Sequence, residues 1–174
     1  SGFSGVKPAG QIILTGAGGF PSTTSGCTSA AQVETGSNQV NYYNLAFGDT
    51  NSKLYANWDM ALPSDYDGGT ITAVFYWLAL SASTNSVVWG LQGRSYGDNE
   101  AIDQAFGTAI EVTDANNANG VVNISAATAA ITLAGTPSSS EHVQFRMYRD
   151  SSNGSDTLAA TASLLEVRIT YTRT

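Results

Sequence analysis

The chain has 174 residues, with 14 Asp+Glu against 7 Lys+Arg, a formal net charge of −7, 42% hydrophobic residues and only 12% charged ones. That length suits one domain burying roughly 70% of the surface its unfolded chain exposes, so stability requires neither a disulfide nor a metal. The acidic balance lacks the electrostatic footprint of a nucleic-acid binder, no apolar run approaches the roughly 18 residues of a membrane-spanning helix, and a charged fraction about half the usual ~25% leaves the surface to Ser, Thr, Asn, Gln and Gly.

In chain order, Ser1-Gly2-Phe3-Ser4-Gly5 places two glycines three apart, the spacing of a Gly-x-x triplet. Residues 1–10 therefore read as a flexible linker or as the end of a collagen-like stalk. From there on, short apolar or alternating segments recur every dozen or so residues between turn-forming clusters, which is an all-β pattern. Strands are expected at 11–15, 40–47, 54–62, 70–80, 87–95, 109–113, 121–125, 130–134, 142–149 and 164–172. Turns are expected at Gly48-Asp49, Pro63-Ser64-Asp65, Asp67-Gly68-Gly69, Asn119-Gly120, Thr136-Pro137 and Asn153-Gly154. One short helix is expected, capped by Asp98, running from Glu100 to Phe106 and stopped by Gly107. The fold class is all-β, an antiparallel β-sandwich of jelly-roll type with at most one short helix, spanning residues 11–174 as a single head domain.

Two strands differ in how they use their faces. Leu165, Val167, Ile169 and Tyr171 alternate with Glu166, Arg168, Thr170 and Thr172, giving one dry face and one wet face. Ala73 to Leu80 is apolar on both, with Phe75 and Trp77 opposing Val74, Tyr76 and Leu78. One sandwich core takes one face; the other needs a cover, from a helix and long loop or from a neighbouring subunit. Val74, Tyr76 and Leu78 are thus the expected subunit-interface residues.

Reactive constellations are scarce. The sole histidine, His142, is phased with Gln144 and Arg146 and reads as a surface strand residue; the sole cysteine, Cys27, has no disulfide partner within the chain. There is no G-x-S-x-G elbow and no P-loop, and where a dinucleotide fingerprint would need its third glycine after Gly16-Ala17-Gly18, Pro21 stands. The acidic loops Asp65-Tyr66-Asp67-Gly68 and Asp98-Asn99-Glu100 do not follow the calcium-loop order and read as turns. No catalytic residue, cofactor or metal is therefore expected. The aromatic residues remain. Trp77 and Trp89 sit in apolar strands and read as core, whereas Tyr42, Tyr43, Tyr66 and Tyr96 lie where exposure is easier. An exposed aromatic ring beside carboxylates can hold a sugar, the ring stacking on its apolar face and the acids accepting from its hydroxyls. Tyr66, Asp65, Asp67, Tyr96 and Asp98 are the expected ligand-binding residues on that ground.

Several segments resemble one group of proteins. They are Ser1 to Gly5; Ile12 to Ser22; Leu62-Pro63-Ser64-Asp65-Tyr66-Asp67-Gly68-Gly69-Thr70 running into Ala73-Val74-Phe75-Tyr76-Trp77; Trp89-Gly90-Leu91-Gln92-Gly93-Arg94; and Val143 to Asp150. Together they resemble the globular β domain of tailed-bacteriophage virion proteins, of fibre or head-decoration type, that follows collagen-like Gly-x-x repeats. The resemblance implies a non-enzymatic homotrimer on the virion surface that contacts a host-cell carbohydrate or receptor, with no membrane insertion and no nucleic acid, and it transfers no active site. Two other classes stand beside it. A monomeric carbohydrate-binding module would bind sugar with a single subunit, and a glycan hydrolase would need two acids flanking a cleft.

Overall fold

The structure is a computed structural model that describes residues 5–174. Eleven strands form in chain order: β1 (Gly10–Thr15), β2 (Phe20–Pro21), β3 (Thr28–Glu34), β4 (Asn41–Phe47), β5 (Lys53–Ala61), β6 (Tyr66–Leu78), β7 (Ser86–Tyr96), β8 (Ile110–Ala115), β9 (Asn123–Ile124), β10 (His142–Asp150) and β11 (Ala162–Arg173). They pair antiparallel into two sheets. The first has the order β3-β4-β11-β6-β9, with β1 also on β11; the second has the order β2-β5-β10-β7-β8. Strands β4, β5, β6 and β7 alternate between the sheets, and so do β8, β9, β10 and β11, which is the jelly-roll arrangement of two Greek keys.

Period-two alternation sends one phase of each strand into the space between the sheets. Leu45 and Phe47, Phe75 and Trp77, Trp89 and Leu91, Phe145 and Met147, and Val167 and Ile169 meet there, each at most 0% exposed. Trp89 stacks on Phe75 with centroids 5.9 Å apart and takes the edges of Phe47 at 5.3 Å and Trp77 at 5.9 Å. The two tryptophans expected in the core are in it, joined by Trp58.

The boundaries of most expected strands hold to within a few residues, with three kinds of correction. The two-residue β2 and the largely exposed β3 carry no strand signal of their own and form by pairing with β5 and β4. Residues 130–134 touch the sheets only through isolated bridges at Ile131 and Ala134. The short helix does not form, and among the described residues there is none. Its carbonyls are drawn away by side chains of β7: Arg94 Nη1 donates to Ala105 O at 3.0 Å, the Tyr96 hydroxyl lies 3.0 Å from Ile102 O, and Asn99 takes a left-handed φ of 66°. Residues 97–108 instead run as an extended strap. Of the expected stalk, residues 1–4 lie outside the described residues, and Gly10 already belongs to β1.

The doubly apolar strand finds part of its cover within the chain. β6 is an interior strand: β11 flanks one edge, and the segment after β9 continues along the other, with Ser125 N donating to Phe75 O and Thr128 N to Ala73 O. Flanked on both sides, Val74 and Leu78 are only 7% and 6% exposed within the single chain. Tyr76 stays half-buried beneath the Arg168 guanidinium, and the exposed apolar groups on this face are Ile13 on β1 and Ile124 on β9.

One charged group lies in the core. Arg149 is 0% exposed and forms a two-pronged pair with Asp156, Nε to Oδ2 at 2.9 Å and Nη2 to Oδ1 at 2.8 Å. Its remaining N–H groups donate to Phe47 O, Leu158 O and Ala160 O. Every guanidinium donor is used, which is the condition for burying such a charge.

Candidate functional site

A concavity lies on the outer face of the second sheet. It is a cleft of about 310 Å³ lined by Phe20, Pro21, Ser22, Thr23, Asn57, Asp59, Phe106 and Gln144, within the size range of small-molecule sites. Its floor follows from strand phase. Trp58 and Phe145 point into the core, so Asn57 and Asp59 on β5 and Gln144 on β10 must point out, and Gln144 stands directly opposite Asp59 in the ladder.

One wall is the segment 20–27, seated along the edge of β5. Ser22 N and Cys27 N donate to Tyr55 O, and Tyr55 N donates to Ser25 O at 2.8 Å. The preceding turn packs against Trp58, whose Nε1 donates to Thr15 O at 2.9 Å. Gly19 allows this approach, since a Cβ there would lie 2.5 Å from the Trp58 ring and 2.6 Å from Leu45. The turn delivers Phe20 to the rim 46% exposed.

The other wall is the strap 97–108. Arg94 holds it through Ala105 O and the Gln104 side chain, and Gly107 N donates to Gly93 O at 3.2 Å. A side chain at Gly107 would meet Thr132 O at 2.5 Å, so only glycine lets the strap lie this close. Phe106 rests on the guanidinium of Arg146 at 4.4 Å, and Tyr55 rests on the same guanidinium at 4.8 Å. With its amide turned so that the oxygen faces Arg146, Gln92 accepts from Nε and Nη2 at 2.7 Å and donates to Gly107 O at 3.1 Å.

Two phenylalanines thus flank a floor of two amides and one carboxylate. Asn57 Nδ2 donates to Ser22 Oγ at 2.9 Å, which leaves its carbonyl oxygen facing the cleft. The Tyr96 hydroxyl lies 2.9 Å from one end of the Gln144 amide, which leaves the other end without a partner among the described residues. Burial raises the Tyr96 phenol above the ordinary tyrosine range and keeps it a neutral hydroxyl. His142 stands beside the floor with Nε2 4.0 Å from Asp59 Oδ1.

The residues expected to bind ligand do not assemble. Tyr66, expected to be exposed, is 2% exposed: its ring packs against Tyr171 at 5.9 Å and its hydroxyl donates to Gly69 O. Asp65 accepts from the Tyr171 hydroxyl at 2.8 Å and pairs with Arg173 at 2.8 Å, and that hydroxyl first and Arg173 second hold its carboxyl below the usual range. Asp67 accepts from Gly69 N at 2.8 Å within its own turn. These three close the start of β6 against the end of β11. Tyr96, also expected to be exposed, is 6% exposed beneath the strap and reaches the cleft only through Gln144; Asp98 sits in the exposed turn that begins the strap. Among the described residues no hydrogen bond or ion pair joins the Asp65–Asp67 turn to Tyr96 or Asp98. Tyr43 does remain half exposed, away from the cleft.

The lining residues Phe20, Asn57, Asp59, Phe106 and Gln144 were not expected. A signal existed in Asn57-Trp58-Asp59-Met60, where polar and apolar residues alternate, and in an aromatic set between Gly19 and Pro21. Among the described residues no group of three or more His, Cys, Asp or Glu could hold a metal ion. Burial pushes the Cys27 thiol up to about 12, so it is not a nucleophile near neutral pH.

No known protein family matches the chain, and no curated protein does, so the likeness to phage virion proteins has no sequence match beside it. Among solved structures, the chain is similar to the CBM36-1 domain of a multidomain xylanase from the hindgut metagenome of Trinervitermes trinervoides, at 9% identity over 92% of this chain and 96% of that one, with a TM-score of 0.44. It is similar to a CBM35 from Cellvibrio japonicus at 7% identity over 95% and 99%, with a TM-score of 0.46. The Gx strain of infectious bursal disease virus matches at 13% identity over 96% of this chain and 34% of that chain, with a TM-score of 0.35. Likenesses this distant carry no statement about the ligand or activity of this chain.

Proposed function

We propose that this domain is a non-catalytic glycan-binding β-sandwich that holds a sugar in the cleft between Phe20 and Phe106. The observation that carries the reading is that cleft: two aromatic rings at the walls and hydrogen-bonding side chains on the floor, built by a wall segment and a strap that are both tied to the sheet. A sugar ring has apolar faces for the phenylalanines and an equator of hydroxyls for Asn57, Asp59 and Gln144. Only Asp59 among the lining residues is a carboxylate. Glycoside hydrolysis by an acid pair would need a second one across the bond, which supports binding without turnover. An array of immobilised glycans probed with the intact chain tests the reading. Binding to at least one glycan is expected, abolished in Phe20→Ala and Phe106→Ala; binding that survives both changes would place the site elsewhere.

A second reading concerns assembly and is favoured by the outer face of the first sheet. There Ile13 is 44% exposed and Ile124 is 58% exposed, on either side of Tyr76. On this reading the domain is a homotrimer on a virion surface, and each trimer presents three clefts to a host-cell carbohydrate, so that weak sites act together. Light scattering on a sizing column distinguishes the two states: three times the 18.1 kDa subunit supports the trimer, and a single subunit removes it. If a trimer forms, Ile124→Asp is expected to dissociate it while leaving the fold intact.

A further inference from the structure

We infer that the sugar taken by this cleft is uncharged and that acidic sugars are excluded, an inference that rests on the glycan-binding reading above. It follows from counting which groups on the floor are still free to bond. Asp59 is 45% exposed at its side chain and has no hydrogen-bond partner among the described residues, and the His142 ring lies 4.0 Å away. Asn57 has committed its NH2 to Ser22 and offers its carbonyl oxygen. Gln144 has one end of its amide against Tyr96 and offers the other. The floor therefore presents a carboxylate and an amide oxygen as acceptors, with the free end of a second amide beside them. Hydroxyls satisfy such a set, because each can donate and accept at once.

An anionic sugar would need a cation, and no cationic side chain lines the cleft. Arg146 is held between Tyr55 and Phe106 and gives Nε and Nη2 to Gln92. Arg94 gives its terminal nitrogens to Ala105 O and Gln104. Neither lines the cleft. A uronate carboxylate brought to this floor would meet Asp59 as a like charge on a protein whose net charge is already −7. The neutral ligand is thus selected both by what the floor accepts and by what it repels.

Titration calorimetry with the intact chain tests this. The probes are neutral oligosaccharides of glucose, xylose and mannose on one side and oligogalacturonate on the other, in 150 mM salt. The best neutral probe is expected to bind at least tenfold more tightly than oligogalacturonate. Asp59→Asn is expected to weaken the neutral probe at least fivefold and to bind oligogalacturonate no more weakly than the parent does. Asp59 is an exposed side chain, so the variant is expected to keep its near-UV circular dichroism, which the same samples report. Oligogalacturonate binding as tightly as the best neutral probe, or Asp59→Asn leaving the neutral affinity unchanged, overturns the inference; if Phe20→Ala still abolishes that binding, the cleft itself stands. Failure of every probe to bind overturns the glycan reading and this inference with it.

Discussion

Two loops of this sandwich are each fastened by an arginine from a neighbouring strand, and they differ in depth. Arg149 fastens the segment after β10 from inside the core, fully buried, with all its donors used and Asp156 as its counter-ion. Arg94 fastens the strap 97–108 from the outer face, half-buried, on a carbonyl and an amide side chain, with its Nε buried and without a partner among the described residues. The first fastening closes the sandwich and belongs to the fold. The second holds a wall of the cleft in place and belongs to the site. The same chemistry thus serves stability where removal strands a charge, and positioning where removal leaves groups that water can reach.

Arg149→Met breaks this comparison at its strong end and is expected to have the largest effect. It leaves the Asp156 carboxylate and three carbonyls in the interior without their partner, and breaking a buried pair from one side costs about 3–5 kcal/mol. Urea unfolding checks this. The same measurement on Arg94→Met is expected to show a loss of about 1 kcal/mol or less, because its partners lie on an exposed loop. Equal losses in the two variants would sink the distinction.

Binding reverses the order. Phe106→Ala removes a wall ring and half of the stack on Arg146, and it is expected to weaken the best glycan at least tenfold, about 1.4 kcal/mol, while its urea midpoint stays close to that of the parent. Arg94→Met is expected to weaken binding several-fold through a looser strap. A variant at Arg94 that loses stability but binds normally would show that the strap is not a positioning element. Calorimetry and unfolding on the same preparations separate these outcomes.

Much of the fold was legible because strand phase and turn chemistry are local. The alternation in Leu164 to Thr172 and the clusters at Asn119-Gly120 and Asp67-Gly68 mark elements that the structure contains, and Gly120 and Gly68 indeed take left-handed φ values of 69° and 83°. The site was less legible because it is made by contacts across long stretches of chain. Phe20 reaches the cleft only because Gly19 packs on Trp58, and Phe106 reaches it because Arg94 and Tyr96 take the carbonyls that a helix over 100–106 would have used. The exposure expected of Tyr66 fails for the same reason: its turn does lie at the surface, but the ring folds inward onto Tyr171, a residue over a hundred positions away. The outward phase of Asn57 and Asp59 was readable from β5 alone; that Gln144 would stand opposite them was not, since the register of β5 on β10 joins distant segments.

A third ion pair marks the shallow end of the comparison and should show the smallest effect. Asp65 and Arg173 lie at the surface, at 34% and 39% side-chain exposure, where β6 begins and β11 ends. The Tyr171 hydroxyl and Arg173 lower the folded-state pKa of Asp65 below its unfolded value, which is about 3.9 for an ordinary aspartate. The sign follows. Unfolding at neutral pH requires no proton uptake but gives up the favourable contacts of the charged form, so the contribution is complete above the unfolded value and is lost as pH falls through the lowered folded value. Asp65→Asn is therefore expected to be slightly less stable than the parent at pH 7 and indistinguishable from it once the parent carboxyl is protonated. Arg149→Met should stay well below the parent throughout, because the three carbonyls it strands in the core do not titrate. Urea midpoints of both variants and the parent at pH 7 and in steps down to pH 2.5 check this, and a gap for Asp65→Asn that stays constant across the range would remove Asp65 as a titrating contributor.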